Sequence, residues 1–264
     1  MRSESFQTPG PTALVVKIPS GSISLEARAG DATEVTLEVV RGDAQLEGEA
    51  TIEVRERGGR FEVVVEAPKR RLGFGREEYV VSVALPEGAD VEARTGSADT
   101  RGRGRFRNVD VATGSGEIEF DEVGGDFKVK GASGEVTVGS IGGAASIATA
   151  SGDIGIGTLA GEGRIRSASG GVEIREASTG LSVHTASGDQ TIGSAAAGEL
   201  TLRSASGDVH VGIRRGSRVF IDARSASGDM GSELELAADA PPGDGPLVEV
   251  SATTASGDVR IVRA

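Results

Sequence analysis

The sequence predicts an all-β fold, a β-solenoid of the single-stranded parallel β-helix-like kind, on three observations. A turn motif recurs at a fixed 18-residue step. Apolar and polar residues alternate on both sides of that turn, the period of strands with one face inward. The third is the makeup of the apolar set: there are only eight aromatics (Phe 7, Tyr 1, Trp 0), so Val, Ile, Leu and Ala must form a thin core of stacked aliphatics.

The turn glycine marks the repeat. It falls at Gly116, Gly134, Gly152, Gly170, Gly188, Gly207, Gly228 and Gly257, with Ala98 in the same slot of Thr95-Gly96-Ser97-Ala98-Asp99. From Ala98 to Gly188 every step is 18; the last three steps are 19, 21 and 29. The unit reads apolar-x-[Ser/Thr]-Ala-Ser-Gly-Asp-apolar-x-apolar, as in Ile147–Ile156, Val183–Ile192 and Leu202–Val211. A second turn, often with glycine (Gly142-Gly143, Gly161, Gly180, Gly198), closes each repeat, leaving two short strands and two turns per unit. Consecutive hairpins in an antiparallel meander compete with parallel coils stacked in register. The recurrence of one residue type at one coil position favours the coils, because stacking turns it into ladders.

Within the turn, Gly supplies a positive φ, and Asp and Ser offer side-chain partners to backbone N–H groups that a corner leaves unpaired. The Ser/Thr two positions before the turn Ser (Thr149, Ser167, Thr185, Ser204, Ser225, Thr254) shares the inward phase and is expected to cap the inside of the bend. The turn acids form one row: Asp99, Glu117, Glu135, Asp153, Asp189, Asp208, Asp229 and Asp258, with Gly171 as a gap. The row is either a cation ladder, for instance for calcium, or a set of carboxylates each accepting N–H groups of its own turn.

Residues 1–94 lack the turn motif and read as longer strands over 13–18, 22–28, 34–40, 50–55, 60–67 and 78–85. They are expected to form an antiparallel or mixed β region that caps the solenoid of residues 95–264. Residues 237–246, rich in proline, read as a loop inserted before the last coil, which then ends the stack as a paired edge or an assembly surface.

Two basic clusters interrupt an acidic chain of net charge −12. Lys69, Arg70, Arg71 and Arg76 lie in a loop between two strands. Arg101, Arg103, Arg105 and Arg107, spaced by two, face one side of an extended segment. They are solvated charge, or else a contact for anionic lipid or for the acidic face of another copy. His184 and His210, the only histidines, occupy outward strand positions without convergent partners. No nucleophile–base arrangement, phosphate loop or dinucleotide fingerprint is visible, so neither catalysis nor a cofactor is expected. The negative charge argues against nucleic acid. With no cysteine, no signal-like leader and no apolar run of membrane-spanning length, the expected compartment is the cytoplasm, with any membrane role indirect.

The recurring Thr/Ser-Ala-Ser-Gly-Asp-Val-x-Ile unit resembles the bacterial β-strand-repeat family named for adhesins, also called toastrack domains. Leu85–Arg94 resembles that family's lead-in to its repeats, as does Phe6–Ile18 followed by Gly21-Ser22-Ile23-Ser24-Leu25. The resemblance implies a solenoid-like fold and no catalytic residues. It also implies a scaffolding or sensing role near envelope-stress and membrane systems. The expected function is thus a structural or interaction protein with a protein partner or self-assembly. A calcium- or lipid-binding module and a surface adhesin are the alternatives.

Overall fold

The structure, a computed structural model, describes residues 1–43, 45–68, 77–233 and 245–264. The chain divides into two units, Met1–Gly134 and Glu135–Ala264. The first holds β1 (Arg2–Gln7), β2 (Thr12–Arg28), β3 (Ala32–Arg41), a one-turn helix α1 (Leu46–Glu49), β4 (Thr51–Arg57), β5 (Arg60–Glu66), β6 (Glu78–Pro86), β7 (Asp90–Phe106), β8 (Val109–Ser115), β9 (Ile118–Val123) and β10 (Phe127–Ser133). The second opens with β11 (Val136–Ile141), β12 (Ala145–Ser151), β13 (Ile154–Leu159), β14 (Gly163–Ser169), β15 (Val172–Ala177) and β16 (Leu181–Ser187). It continues with β17 (Gln190–Ala195), β18 (Gly198–Ser206), β19 (Val209–Ile213), β20 (Arg218–Ser227), β21 (Met230–Ser232), β22 (Leu247–Ser256) and β23 (Val259–Arg263).

In the second unit each strand from β11 to β17 pairs in parallel with the strand one repeat on. Ile147 lies beside Ile165, Ile165 beside Val183, and Val183 beside Leu202. On the other face Ile156, Ile174 and Ile192 form the matching ladder, continued by Val211. The meander alternative therefore falls, and the coils stack as a solenoid. The inward ladders are almost wholly buried, with Ile165, Ile174, Val183 and Ile192 at 0% exposure. Transfer of such a side chain from water is worth about 1.5–3 kcal/mol. Gln190 is the exception inside: it stands between Val172 and Val209 in the ladder and is fully buried. Its Nε2 donates to Thr185 Oγ1 and to the Arg203 carbonyl, each at 2.8 Å.

The first unit is mixed β, and its boundary after Gly134 lies beyond residue 94, where the turn motif begins. Two 17-residue strands, β2 and β7, run side by side in parallel, from Ala13 beside Asp90 to Glu26 beside Arg103. The other edge of β2 is shared by β5 and β6, also in parallel. Antiparallel strands then follow: β3 on β6, β1 on β3 and β4 on β5. β2 thus lies inside the parallel stack, between β5 with β6 and β7, and its Ser20-Gly21-Ser22 lies in register with Ser97-Ala98-Asp99. This further turn escapes the Ser-Gly-Asp marker because Ser22 replaces the acid. Neither β1 nor α1 stands out in the sequence. The core of this unit departs from pure aliphatics: Phe106, Phe120 and Phe127 meet edge to face, with ring centroids 5.4 and 6.0 Å apart. Gly102 makes room for them, since a Cβ there would lie 2.3 Å from the Phe120 ring.

Among the last coils of the second unit the order of coils departs from the order of the chain. β22 pairs with β18 on one edge and with β20 on the other, and β23 sits likewise between β19 and β21. The last coil in sequence is thus internal, and the coil before it, β20 with β21, is the terminal one. This corrects the expectation that the C-terminal coil ends the stack. The longest gap between turn glycines, from Gly228 to Gly257, falls between these two coils in sequence.

Candidate interaction surfaces

The Ser-Gly-Asp turns are held to one another, coil to coil. Gly170, Gly188, Gly207 and Gly257 have φ between 120° and 147°. A Cβ at Gly188 would lie 2.1 Å from the Gly170 carbonyl oxygen, so both conformation and spacing exclude a side chain there. The carboxylates follow the same ladder. Asp153 Oδ1 accepts the N–H of Gly171 at 2.7 Å, and Asp189 Oδ1 that of Asp208 at 2.8 Å. Asp208 accepts from Asp258, and Asp258 from Asp229, each at 2.8 Å. These aspartates therefore bind the neighbouring coil rather than their own turn, which differs from the sequence expectation. The cause is that parallel stacking brings the next turn's N–H nearer than any donor within the turn. Gly171, the gap in the acid row, still donates because only its backbone is needed. Beneath them the Ser/Thr hydroxyls cap the bend from inside: Thr149 and Ser167 donate to the carbonyls of Ser151 and Ser169 at 2.9 Å. Among the described residues no group of three or more His, Asp or Glu is placed to hold a metal ion.

The predicted basic row is largely ion-paired. Arg101 meets Glu117 at 3.1 Å and Glu119 at 3.3 Å, and Arg105 meets Glu122 at 3.1 Å. Arg107 holds Asp90 with two hydrogen bonds, one of 2.8 Å from Nε, and Asn108 Nδ2 adds another at 2.9 Å. Arg60 approaches the same carboxylate at 3.2 Å. Burial on its own raises the Asp90 carboxyl. The hydrogen bonds and charge of Arg107, the Asn108 amide and the Arg60 charge outweigh it and hold the group below the usual carboxylate range. Arg103 is exposed and borders a shallow cleft with Arg28, Glu34 and Arg101. Lys69, Arg70, Arg71 and Arg76 lie outside the described residues, as does 237–244 of the inserted loop.

A different set of cations lies open in the second unit. Parallel register sets Arg166 of β14 beside His184 of β16, and His184 beside Arg203 of β18, all on the outward face. Arg164 stands two residues before Arg166, on the same face of β14. Both Arg166 and Arg203 are exposed and His184 is half-buried. None of these arginines forms an ion pair among the described residues. The His184 imidazole is held below its usual proton affinity, first by burial and then by the Arg203 and Arg166 charges. Sequence reading treated the histidine alone. Aligning outward positions across repeats would have shown the column, since residues 166, 184 and 203 share one place in the coil. His210 is also half-buried, on β19 beside Thr191 and Arg260.

The terminal coil presents a strand edge. Among the described residues β20 pairs only with β22, through one side. Its inward residues Val219, Ile221 and Ala223 are half-exposed, whereas their neighbours Val248, Val250 and Ala252 are at most 1% exposed. Phe220 is 63% exposed and Met230 58%.

A family model described as Toastrack DUF4097 matches residues 13–262. Among curated proteins no match was found. Solved structures resemble the chain at low identity. A candidate lipid-binding protein from Parabacteroides distasonis is 14% identical with a TM-score of 0.49, covering 100% of this chain and 96% of its own. A candidate adhesin from the same organism is 12% identical at TM-score 0.48, covering 98% and 96%. Another candidate adhesin, from Parabacteroides merdae, is 13% identical at TM-score 0.45, covering 99% and 96%.

Proposed function

The chain belongs to the Toastrack DUF4097 family, and on that premise we propose that it is a non-catalytic interaction scaffold that assembles with a second copy of itself. The observation that carries this reading is the open terminal coil. A strand edge with half-exposed core residues is a template for another strand. The sequence of β20 suits an antiparallel copy of itself centred on Phe220. In that register Phe220 faces Phe220, Val219 faces Ile221, and Arg218 faces Asp222. Apolar, aromatic and opposite-charge cross-strand pairs each add about 0.2–1 kcal/mol. The polar groups of the turns are already engaged between coils, which supports a structural role for the repeats.

Sedimentation equilibrium tests the reading. The wild type is expected to form a dimer, and Ile221→Lys or Phe220→Asp to weaken it about tenfold or more, the equivalent of about 1.4 kcal/mol. Both sites are at the stack's end, so thermal unfolding of the variants serves as the folding control. A wild type that stays monomeric at its highest soluble concentration rejects the proposal, and so does a dimer that both variants leave intact.

A further inference from the structure

We propose that the outward column Arg166–His184–Arg203 binds a linear polyanion of the oligophosphate class. The column has the geometry for it. Neighbouring rungs of a parallel sheet are about 4.8 Å apart, so the two guanidinium groups flank the imidazole over roughly 10 Å. Arginine's planar fork matches phosphate oxygens. The hydroxyls of Ser182 and Thr201 lie along the same face, two residues before His184 on β16 and Arg203 on β18. From within, Gln190 Nε2 binds the Arg203 carbonyl at 2.8 Å and fixes the backbone beneath that side chain.

Charge distinguishes this column from the other basic residues. The molecule carries a net −12. Arg101, Arg105 and Arg107 are engaged by carboxylates, whereas among the described residues the arginines of the column are not. The charged groups near His184 on this face are Arg164 and Arg166 on β14, Glu162 just before it, Arg203 on β18 and Glu199 at the start of β18; β16 carries no other charge. Burial first, and then the repulsion of the Arg203 and Arg166 charges, makes the imidazole resist its proton. An oligophosphate seated across them relieves that repulsion. By linkage it binds the protonated column more tightly, so affinity rises as pH falls through the His184 titration.

The test is calorimetric titration of the full chain with inorganic triphosphate at low salt, paired with NMR titration of the two imidazoles. Binding is expected to saturate and to tighten from pH 8 to pH 6. Arg166→Gln and Arg203→Gln are each expected to weaken it about tenfold. Arg175→Gln, an exposed arginine on the other strand of the coil, is expected to change nothing. Triphosphate is also expected to raise the His184 midpoint while leaving His210 in place. Absence of saturable binding overturns the proposal, as does an equal loss in Arg175→Gln. Binding of anionic phospholipid vesicles without triphosphate binding overturns it in favour of a membrane contact.

Discussion

Glycine 188 shows how one position answers two demands. Its φ of 137° belongs to a region that costs a residue with a side chain about 1–3 kcal/mol. The Gly170 carbonyl, 2.1 Å from a hypothetical Cβ, adds a clash with backbone that no rotamer relieves. Gly188→Ala is expected to lower the melting temperature by roughly 5–10 °C. Gly231→Ala, where nothing lies within 4 Å and φ is not positive, is expected to stay within about 0.5 kcal/mol of wild type. The glycine row was legible because every coil repeats the same contact, so the same letter returns every 18 residues. Ala98 fits the slot without a positive φ, a difference of backbone that letters do not carry. The partners of the aspartates were not legible either, for a carboxylate and an N–H give no sign of which coil they belong to.

Among elements, the corner joining β7 to β8 is tied by Asp90, Arg107 and Asn108. The Asp90 carboxyl is depressed in the folded state, so its contribution to stability is present above the unfolded pKa of about 3.9 and is lost as pH falls through the folded value. Urea titrations across about pH 5 to pH 2 are expected to show a smaller loss of stability in Asp90→Asn than in wild type. That variant starts from a lower value at neutral pH, because it gives up the charge that Arg107 and Arg60 face. The strand boundaries of the N-terminal region were close to legible through alternation, with β2 as the exception. Its two halves read as separate strands around Pro19-Ser20-Gly21, yet the backbone passes through the corner without leaving its ladder with β7. The basic row on β7 was legible as a row, but its neutralisation was not. Glu117, Glu119 and Glu122 come from the following coil, and only the 18-residue offset reveals that they face it.

For the whole chain, the repeat predicts stacking but not the order of the stack. β20 and β22 carry nearly the same inward letters, Val219-x-Ile221-x-Ala223 against Val248-x-Val250-x-Ala252. What tells them apart lies outside the shared motif: outward Phe220, and the short Met230-Gly231-Ser232 where the internal coil has Val259-Arg260-Ile261. A coil with poorer second-strand residues loses less by standing at the end. The same arrangement sets a problem of timing. Synthesis delivers β20 and β21 before β22 and β23 exist, while the seat beside β18 is empty. During that interval the earlier coil can act as a decoy for the later one's place, whereas the finished order seats the C-terminal segment between it and β18. A chain ending after Pro246 is expected to remain β-rich by circular dichroism, with β20 moved onto β18 and the Ile221 amide protected from hydrogen exchange. Exchange as fast as in an unfolded chain would instead mean that the decoy never sits. The final residues thus decide which of two near-identical coils is the interior and which is the lid.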